Sequence, residues 1–264
     1  MRYEELTIEG RNAVLEAFRS GKTIDKLFVL DGCQDGPVRT IVREAKKYDT
    51  IINYVAKERL DQMSETGKHQ GVIAYAAAYE YATVEEILDN ARQKGEAPFL
   101  FLLDNIEDPH NLGAIIRTAE CAGAHGVIIP RRRSVGLTAV VGKASAGALE
   151  YMPVARVANL VSTIRDLKAR GVWVFGTAAD GDTTLTGADL RGPAAIVIGN
   201  EGSGMSRLVA ESCDLKVSIP LKGHISSLNA STAAAVLRLS GSSAVISLMV
   251  CTPLFSHWRR MPSV

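Results

Sequence analysis

The stretch FLFLLDNIEDPHNLGAIIRTAECA, residues 99–122, decides the architecture. Its first five residues are all apolar, a composition that suits a strand buried on both faces. A polar loop follows, and then a helix that opens near Asn111 and Leu112. Leu112, Ile115, Ile116 and Ala119 recur at helical spacing and form one buried stripe. Four more apolar runs repeat the theme: GVIIP at 126–130, VWVFG at 172–176, AAIVIG at 194–199 and KVSIPL at 216–221. Fully apolar strands alternating with amphipathic helices predict an α/β fold built on a parallel sheet covered on both sides. The ligand site of such a sheet is expected at the carboxyl ends of its strands.

Upstream, residues 1–76 read as a small α/β domain of their own. Helices are expected over 12–19, 38–48 and 57–63, and strands over 26–30, 51–55 and 71–76. Residues 77–96 combine a short acidic helix with a polar exit before Pro98, and read as a linker. Residues 97–264 then form the second domain.

Composition narrows the classes. The chain has 264 residues, 47% hydrophobic and 22% charged, which excludes disordered and coiled-coil classes for most of its length. Net charge is +1. Residues 1–76 carry 12 basic and 12 acidic side chains, whereas 97–264 carry 16 and 12, a weak pointer to an anionic ligand for the second domain. Cys33, Cys121, Cys213 and Cys251 are scattered, which excludes a Cys-x-x-Cys metal or redox site and suits a reducing cytoplasm. No metal site is expected. The opening MRYEELTIEGRNAV lacks the apolar core of a signal peptide, and no apolar stretch is long enough to span a bilayer.

Three polar segments follow strands and carry the chemistry. In the first, residues 104–122, Asn111 or His110 stands where the helix needs a cap, and Arg117 lies off the buried stripe with a forked donor set suited to phosphate. In the second, IVIGNEGSGMS at 196–206, Gly199, Gly202 and Gly204 follow a strand and let backbone approach a ligand. Their spacing is wrong for a dinucleotide fingerprint. The third, SIPLKGHISSLNASTAAAV from Ser218, crowds Ser226, Ser227, Asn229, Ser231 and Thr232 at a helix start, more small polar groups than capping needs. The chain also lacks the residue patterns of a catalytic cysteine, a hydrolase elbow and a P-loop.

Together the three segments resemble the motifs of the SpoU (TrmH-like) RNA 2′-O-ribose methyltransferases of the knotted SPOUT superfamily. The first motif matches Asn111, Gly113, Ala114 and Arg117; the second matches residues 199–204; the third matches Ile219, Pro220, Gly223 and residues 227–231. IEGRNAVLEAF, at residues 8–18, is similar to the opening of an L30e-like RNA-binding domain found in the branch that acts on ribosomal RNA. The resemblance implies an S-adenosylmethionine-dependent enzyme with a C-terminal trefoil knot, a cytoplasmic homodimer. It also implies an RNA substrate, closest to the RlmB-like enzymes that methylate a guanosine ribose of 23S rRNA. Transfer to tRNA, the rRNA target of thiostrepton-resistance enzymes, and a non-catalytic RNA-binding factor are the alternatives.

Carried over residue by residue, the resemblance implies a cofactor pocket at Gly199, Ile219 and Leu228, with Thr177 and Gly202 nearby. Asn111, Arg117, Glu201, Ser227 and Asn229 would line the transfer site, Arg117 serving the partner subunit. A guanidinium stays protonated in proteins, so Arg117 is expected to contact phosphate or an oxyanion, and the general base is left unassigned, with Glu201 a weaker candidate for it. Arg11, Asn12, Arg131 and Arg132 are candidate RNA contacts. In the family the last helix helps build the dimer and a wall of the cofactor site. Here it runs into SGSSAVISLMVCTPLFSHWRRMPSV at 240–264, a stretch without an acidic residue that departs from the family pattern.

Overall fold

The computed structural model describes residues 6–184, 187–218, 230 and 232. Two sheets organise them. The first has four strands in the order β1-β4-β2-β3: β1 (Leu6–Glu9), β2 (Ile24–Leu30), β3 (Ile51–Val55) and β4 (Val72–Ala76). β4 pairs antiparallel with β1 and β2, while β2 and β3 run parallel. Helices α1 (Arg11–Arg19), α2 (Gly36–Lys47) and α3 (Lys57–Met63) connect them. α2 forms where Asp35 accepts a hydrogen bond from the Val38 amide and Pro37 sits in the first turn. Val38, Ile41 and Ala45 then bury one face of it, as the spacing requires. β1 was not foreseen: its four residues are too few, and too exposed, to leave a pattern.

The second sheet has seven strands in the order β7-β6-β5-β10-β8-β11-β9, and every pairing in it is parallel. Its main strands are β5 (Phe99–Leu103), β6 (Gly126–Pro130), β7 (Val154–Val157), β8 (Trp173–Thr177), β10 (Ala194–Ile198) and β11 (Leu215–Ser218). β9 (Thr183–Thr184) is a short edge. Alternate residues of β5 enter opposite cores. Phe101 and Leu103 pack with Ile115 and Ile116 of α5 (Pro109–Cys121). Leu100 and Leu102 pack with Ile164 of α7 (Leu160–Ala169) and with Ile87. Each such side chain contributes on the order of 1.5–3 kcal/mol by leaving water.

Ile87 belongs to α4 (Val84–Gln93), so part of the stretch read as a linker is a helix packed on the parallel sheet. Thr83 and Glu86 form its capping box. α6 (Ala139–Ala144) lies against α5, and α8 (Arg207–Ser212) follows β10. Gly113 allows the α5–α6 approach: a Cβ there would lie 2.5 Å from the Ala144 Cβ and 2.8 Å from the Val141 carbonyl oxygen. The segment 219–229, on which a knot would rest, and the tail 240–264 lie outside the described residues.

A buried polar cluster joins the two sheets. Asp25 on β2 meets Arg156 on β7, both side chains 10% exposed. The Tyr81 hydroxyl donates to the Asp25 carboxylate at 3.3 Å and accepts from the Leu137 amide at 2.9 Å. Arg156 also stands over the Tyr81 ring, 5.4 Å from its centre. Burial pushes the Asp25 carboxyl up, against the opposing pull of Arg156.

Candidate active site

The site forms where β5 and β10 end side by side, in register from Ala194↔Phe99 to Ile198↔Leu103. The loop after β5 and the loop after β10 are 90 residues or more apart in sequence and meet through three contacts. The Ser206 amide donates to the buried Asp104 carboxylate at 2.6 Å. The Asn200 side-chain amide donates to the Asn105 carbonyl at 3.2 Å. The Asn111 side-chain amide donates to the Glu201 carboxylate. Asn105 takes a left-handed backbone (φ 60°), which turns the loop toward α5.

The cap of α5 is Asp108, whose carboxylate accepts from the His110 amide at 2.6 Å and the Asn111 amide at 3.0 Å. This corrects the expectation that Asn111 or His110 performs that role. Pro109 fills the first turn, so capping falls one residue earlier, and the Asn111 side chain is released for Glu201.

The loop after β10 is braced from within. The Asn200 side-chain oxygen accepts from the Gly202 amide at 2.9 Å and the Ser203 amide at 3.2 Å, and Asn200 and Gly204 exchange backbone hydrogen bonds. Gly199 is obligatory in this turn, since a Cβ would lie 2.3 Å from the backbone of Gly204 and Met205. Thr177, at the end of neighbouring β8, donates its hydroxyl to the Val197 carbonyl at 2.9 Å. Gly202 is exposed, and its nearest obstacle to a Cβ is the Asn200 oxygen at 3.6 Å. The described residues thus bring adjacent parallel strand ends together with an exposed glycine, Gly202, at the edge where a sheet of this kind takes its ligand.

Arg117 does not join this cluster. It is exposed and forms no salt bridge or hydrogen bond with the described residues. Six residues beyond Asn111 on an α-helix place it about 9 Å along the axis and about 120° around it. Ile219, Ser227, Leu228 and Asn229 lie outside the described residues. Among the candidate RNA contacts, Arg132 and Asn12 are exposed. Arg131 pairs with Asp49 at 2.9 Å, and Arg11 with Asp35 at 2.6 Å and with the Gln70 carbonyl at 3.0 Å. Asp104, Asn105 and Asn200 were not named as site residues from the sequence, although Asp104 and Asn105 open the first polar segment and Asn200 lies inside the second motif. Among the described residues no three His, Cys, Asp or Glu side chains gather as a metal site would need, and no helix is long and apolar enough to cross a membrane.

The model of the SpoU rRNA Methylase family matches residues 98–238, and a model described as RNA 2′-O ribose methyltransferase substrate binding matches residues 7–82. YacO of Bacillus subtilis, whose name places it in the TrmH family of tRNA/rRNA methyltransferases, is 49% identical over 228 residues, 86% of this chain and 91% of its own. A Staphylococcus saprophyticus protein of the same family name is 47% identical over 234 residues, covering 89% and 94%. The SpoU methyltransferase AviRb of Streptomyces viridochromogenes, solved in complex with S-adenosylmethionine, is similar with a TM-score of 0.56 and 25% identity, over 89% of this chain and 88% of its own. An S-adenosylmethionine-bound rRNA methyltransferase from Sinorhizobium meliloti gives 0.55 and 26%, over 89% and 85%.

Proposed function

The chain belongs to the SpoU rRNA methylase family and is an S-adenosylmethionine-dependent RNA 2′-O-methyltransferase, and we propose that its substrate is a guanosine ribose of 23S rRNA. The contact between Asn111 and Glu201 carries this reading at the site, because it sets an acceptor and its orienting amide where two parallel strands end. The substrate-binding match over residues 7–82 supports ribosomal RNA, since minimal tRNA-acting members lack such a domain.

S-adenosylmethionine, when bound, supplies a methyl group already activated on a sulfonium. The protein's task is to place the ribose and manage its proton. Glu201 spends one carboxylate oxygen on the Asn111 amide and keeps the other to accept from a ribose hydroxyl. Asp108 fixes the first turn of α5, and so the position of Asn111. Thr177, Gly199 and Gly202 border the cofactor, with Ile219, Ser227, Leu228 and Asn229 completing the site from beyond the described residues. Arg117 points about 120° away from Asn111 around the helix, so it serves an RNA phosphate in the site of a second copy. The protein acts as a homodimer with a knotted C-terminal domain.

The test is incubation with methyl-labelled S-adenosylmethionine and either unmodified 23S rRNA or tRNA, followed by digestion and identification of the labelled nucleoside. Labelled 2′-O-methylguanosine from rRNA is the expected result. Label in tRNA, or at another rRNA nucleoside, overturns the substrate while keeping the enzyme.

A further inference from the structure

The charges of the N-terminal unit are unevenly spent. Five of its ten described acidic side chains are paired with a Lys or Arg: Asp25 with Arg156, Asp35 with Arg11, Asp49 with Arg131, Asp61 with Lys57 and Glu16 with Arg19. Arg39, Arg43 and Lys46 on α2 are exposed and form no salt bridge or hydrogen bond with the described residues. Glu44, the one acid of α2, pairs with none of them. Positions 39, 43 and 46 fall on one stripe of the helix.

That stripe forms one wall of a cleft of about 640 Å³. Tyr54, on the edge strand β3, faces it and is 56% exposed. The loop at Asp31 and Gly32 closes one end, where the Asp31 carboxylate accepts from the Gly32 amide at 2.9 Å. Three cations thus face one carboxylate and one open aromatic ring.

The cleft does not stand alone. The other end of β3, at Ile51 and Ile52, borders a second cleft of about 390 Å³ with Arg131 and Arg132. Ile51 and Lys26 share a third, of about 520 Å³, with Arg133 and with Pro109. Pro109 is the first residue of α5, two positions before Asn111. β3 therefore borders all three clefts; the two beyond the α2 cleft also hold Asp49, paired with Arg131, and Glu107, so the unpaired cations concentrate on α2. From Ile51 to Tyr54 the strand covers about 10 Å.

We infer that the α2–β3 cleft binds a single-stranded segment of the RNA substrate, with Tyr54 stacking on an unpaired base and Arg39, Arg43 and Lys46 holding the flanking phosphates. An aromatic platform beside unpaired cations is the chemistry that grips single strands. A duplex keeps its bases stacked inside and offers Tyr54 no ring face. The assignment rests on the RNA-methyltransferase reading and adds where, away from the transfer site, the RNA is held.

The experiment measures anisotropy of a fluorescein-labelled oligouridylate of about 12 nucleotides, a typical single-strand site size, across a salt series on the full chain. The combined Arg39→Ala, Arg43→Ala and Lys46→Ala variant is expected to bind at least about 10-fold more weakly at physiological salt. Its log K against log salt slope should flatten by about 2, from about 0.7 per lost phosphate contact. Tyr54→Ala should weaken binding about 10-fold with the slope unchanged, and Tyr54→Phe should restore it. All are surface changes expected to leave the fold intact, with circular dichroism as the control. Binding within twofold of the parent in the triple variant, no effect of Tyr54→Ala, equal affinity for a duplex, failure of the parent to bind, or displacement by polyglutamate at equal charge would each overturn the assignment. The methylation assay separates the two readings. Label transfer with unaltered KM for RNA in these variants removes the cleft alone. A parent that neither binds S-adenosylmethionine nor transfers label removes the methyltransferase reading, while the anisotropy result decides the cleft by itself.

Discussion

Two polar contacts tie distant parts of this chain together, and they do opposite work. Asp25 and Arg156, 131 residues apart, meet where each side chain is only 10% exposed, with Tyr81 completing the cluster. Asn111 and Glu201, 90 residues apart, meet at a partly open loop junction at the ends of β5 and β10. In the first, both charged side chains are nearly shut off from water and the pair ties one sheet to the other. In the second, one carboxylate oxygen accepts from an amide at a part-buried junction of two loops. Burial, more than the identity of the residues, separates the two contacts.

The sharpest way to break this contrast is Asp25→Ala. It leaves Arg156 buried without its partner, and should cost about 3–5 kcal/mol in urea unfolding, whereas replacing both partners by apolar residues of similar size should recover most of it. Glu201→Gln is the converse: labelled-methyl transfer should fall about 100-fold, the scale on which a lost transition-state contact acts, while the unfolding midpoint stays within about 0.5 kcal/mol of the parent. Equal losses of stability in the two variants would erase the distinction.

Smaller changes sharpen it. Gly113→Ala drives a methyl group into Ala144 and the Val141 carbonyl, and the α5–α6 pair should lose about 1–3 kcal/mol in thermal unfolding. Asp108→Ala removes the cap of α5 at about 1 kcal/mol. Because Asn111 sits on that first turn, transfer activity should suffer more than stability does. The mildest test is pH. Burial raises the Asp25 carboxyl, so the folded chain holds that proton more tightly than the unfolded chain does. Its contribution to stability is present below the ordinary aspartate value of about 3.9 and declines as pH rises through the raised one. The parent should therefore lose ground to Asp25→Asn in urea midpoints as pH rises above about 4. A gap widening in the parent's favour would show that Arg156 outweighs burial. The half-buried Asp35 and the exposed Asp61, lowered by a backbone amide and by His69 respectively, act in the other sense, their contributions fading as pH falls.

The sequence made the parallel sheet legible because burial on both faces writes itself as unbroken apolar runs, as at 99–103 and 194–198. It placed Asn111, Gly199 and Glu201 near strand ends for the same reason. What it could not show were contacts across long separations. Nothing near Asp25 announces Arg156, and nothing near Asn111 announces Glu201, since pairing is decided by strand order. The cap at Asp108 was legible in principle: an Asp before Pro is a helix-start signal that lost out to the polar residues after it. β1 was too short and too exposed to be seen.

The position of β10 between β5 and β8 has a consequence in time. A chain leaving the ribosome exposes Phe99–Leu103 and Trp173–Thr177 before the strand that separates them exists. At roughly 5–20 residues per second, the wait from β5 to β10 lasts about 5–20 s. Throughout it, β5 presents an apolar edge with no neighbour on that side, the kind of edge that recruits foreign strands. Insertion of β10 closes that edge and brings Glu201 to Asn111 in one event. The nascent chain thus carries an open apolar edge until the same event that joins Glu201 to Asn111.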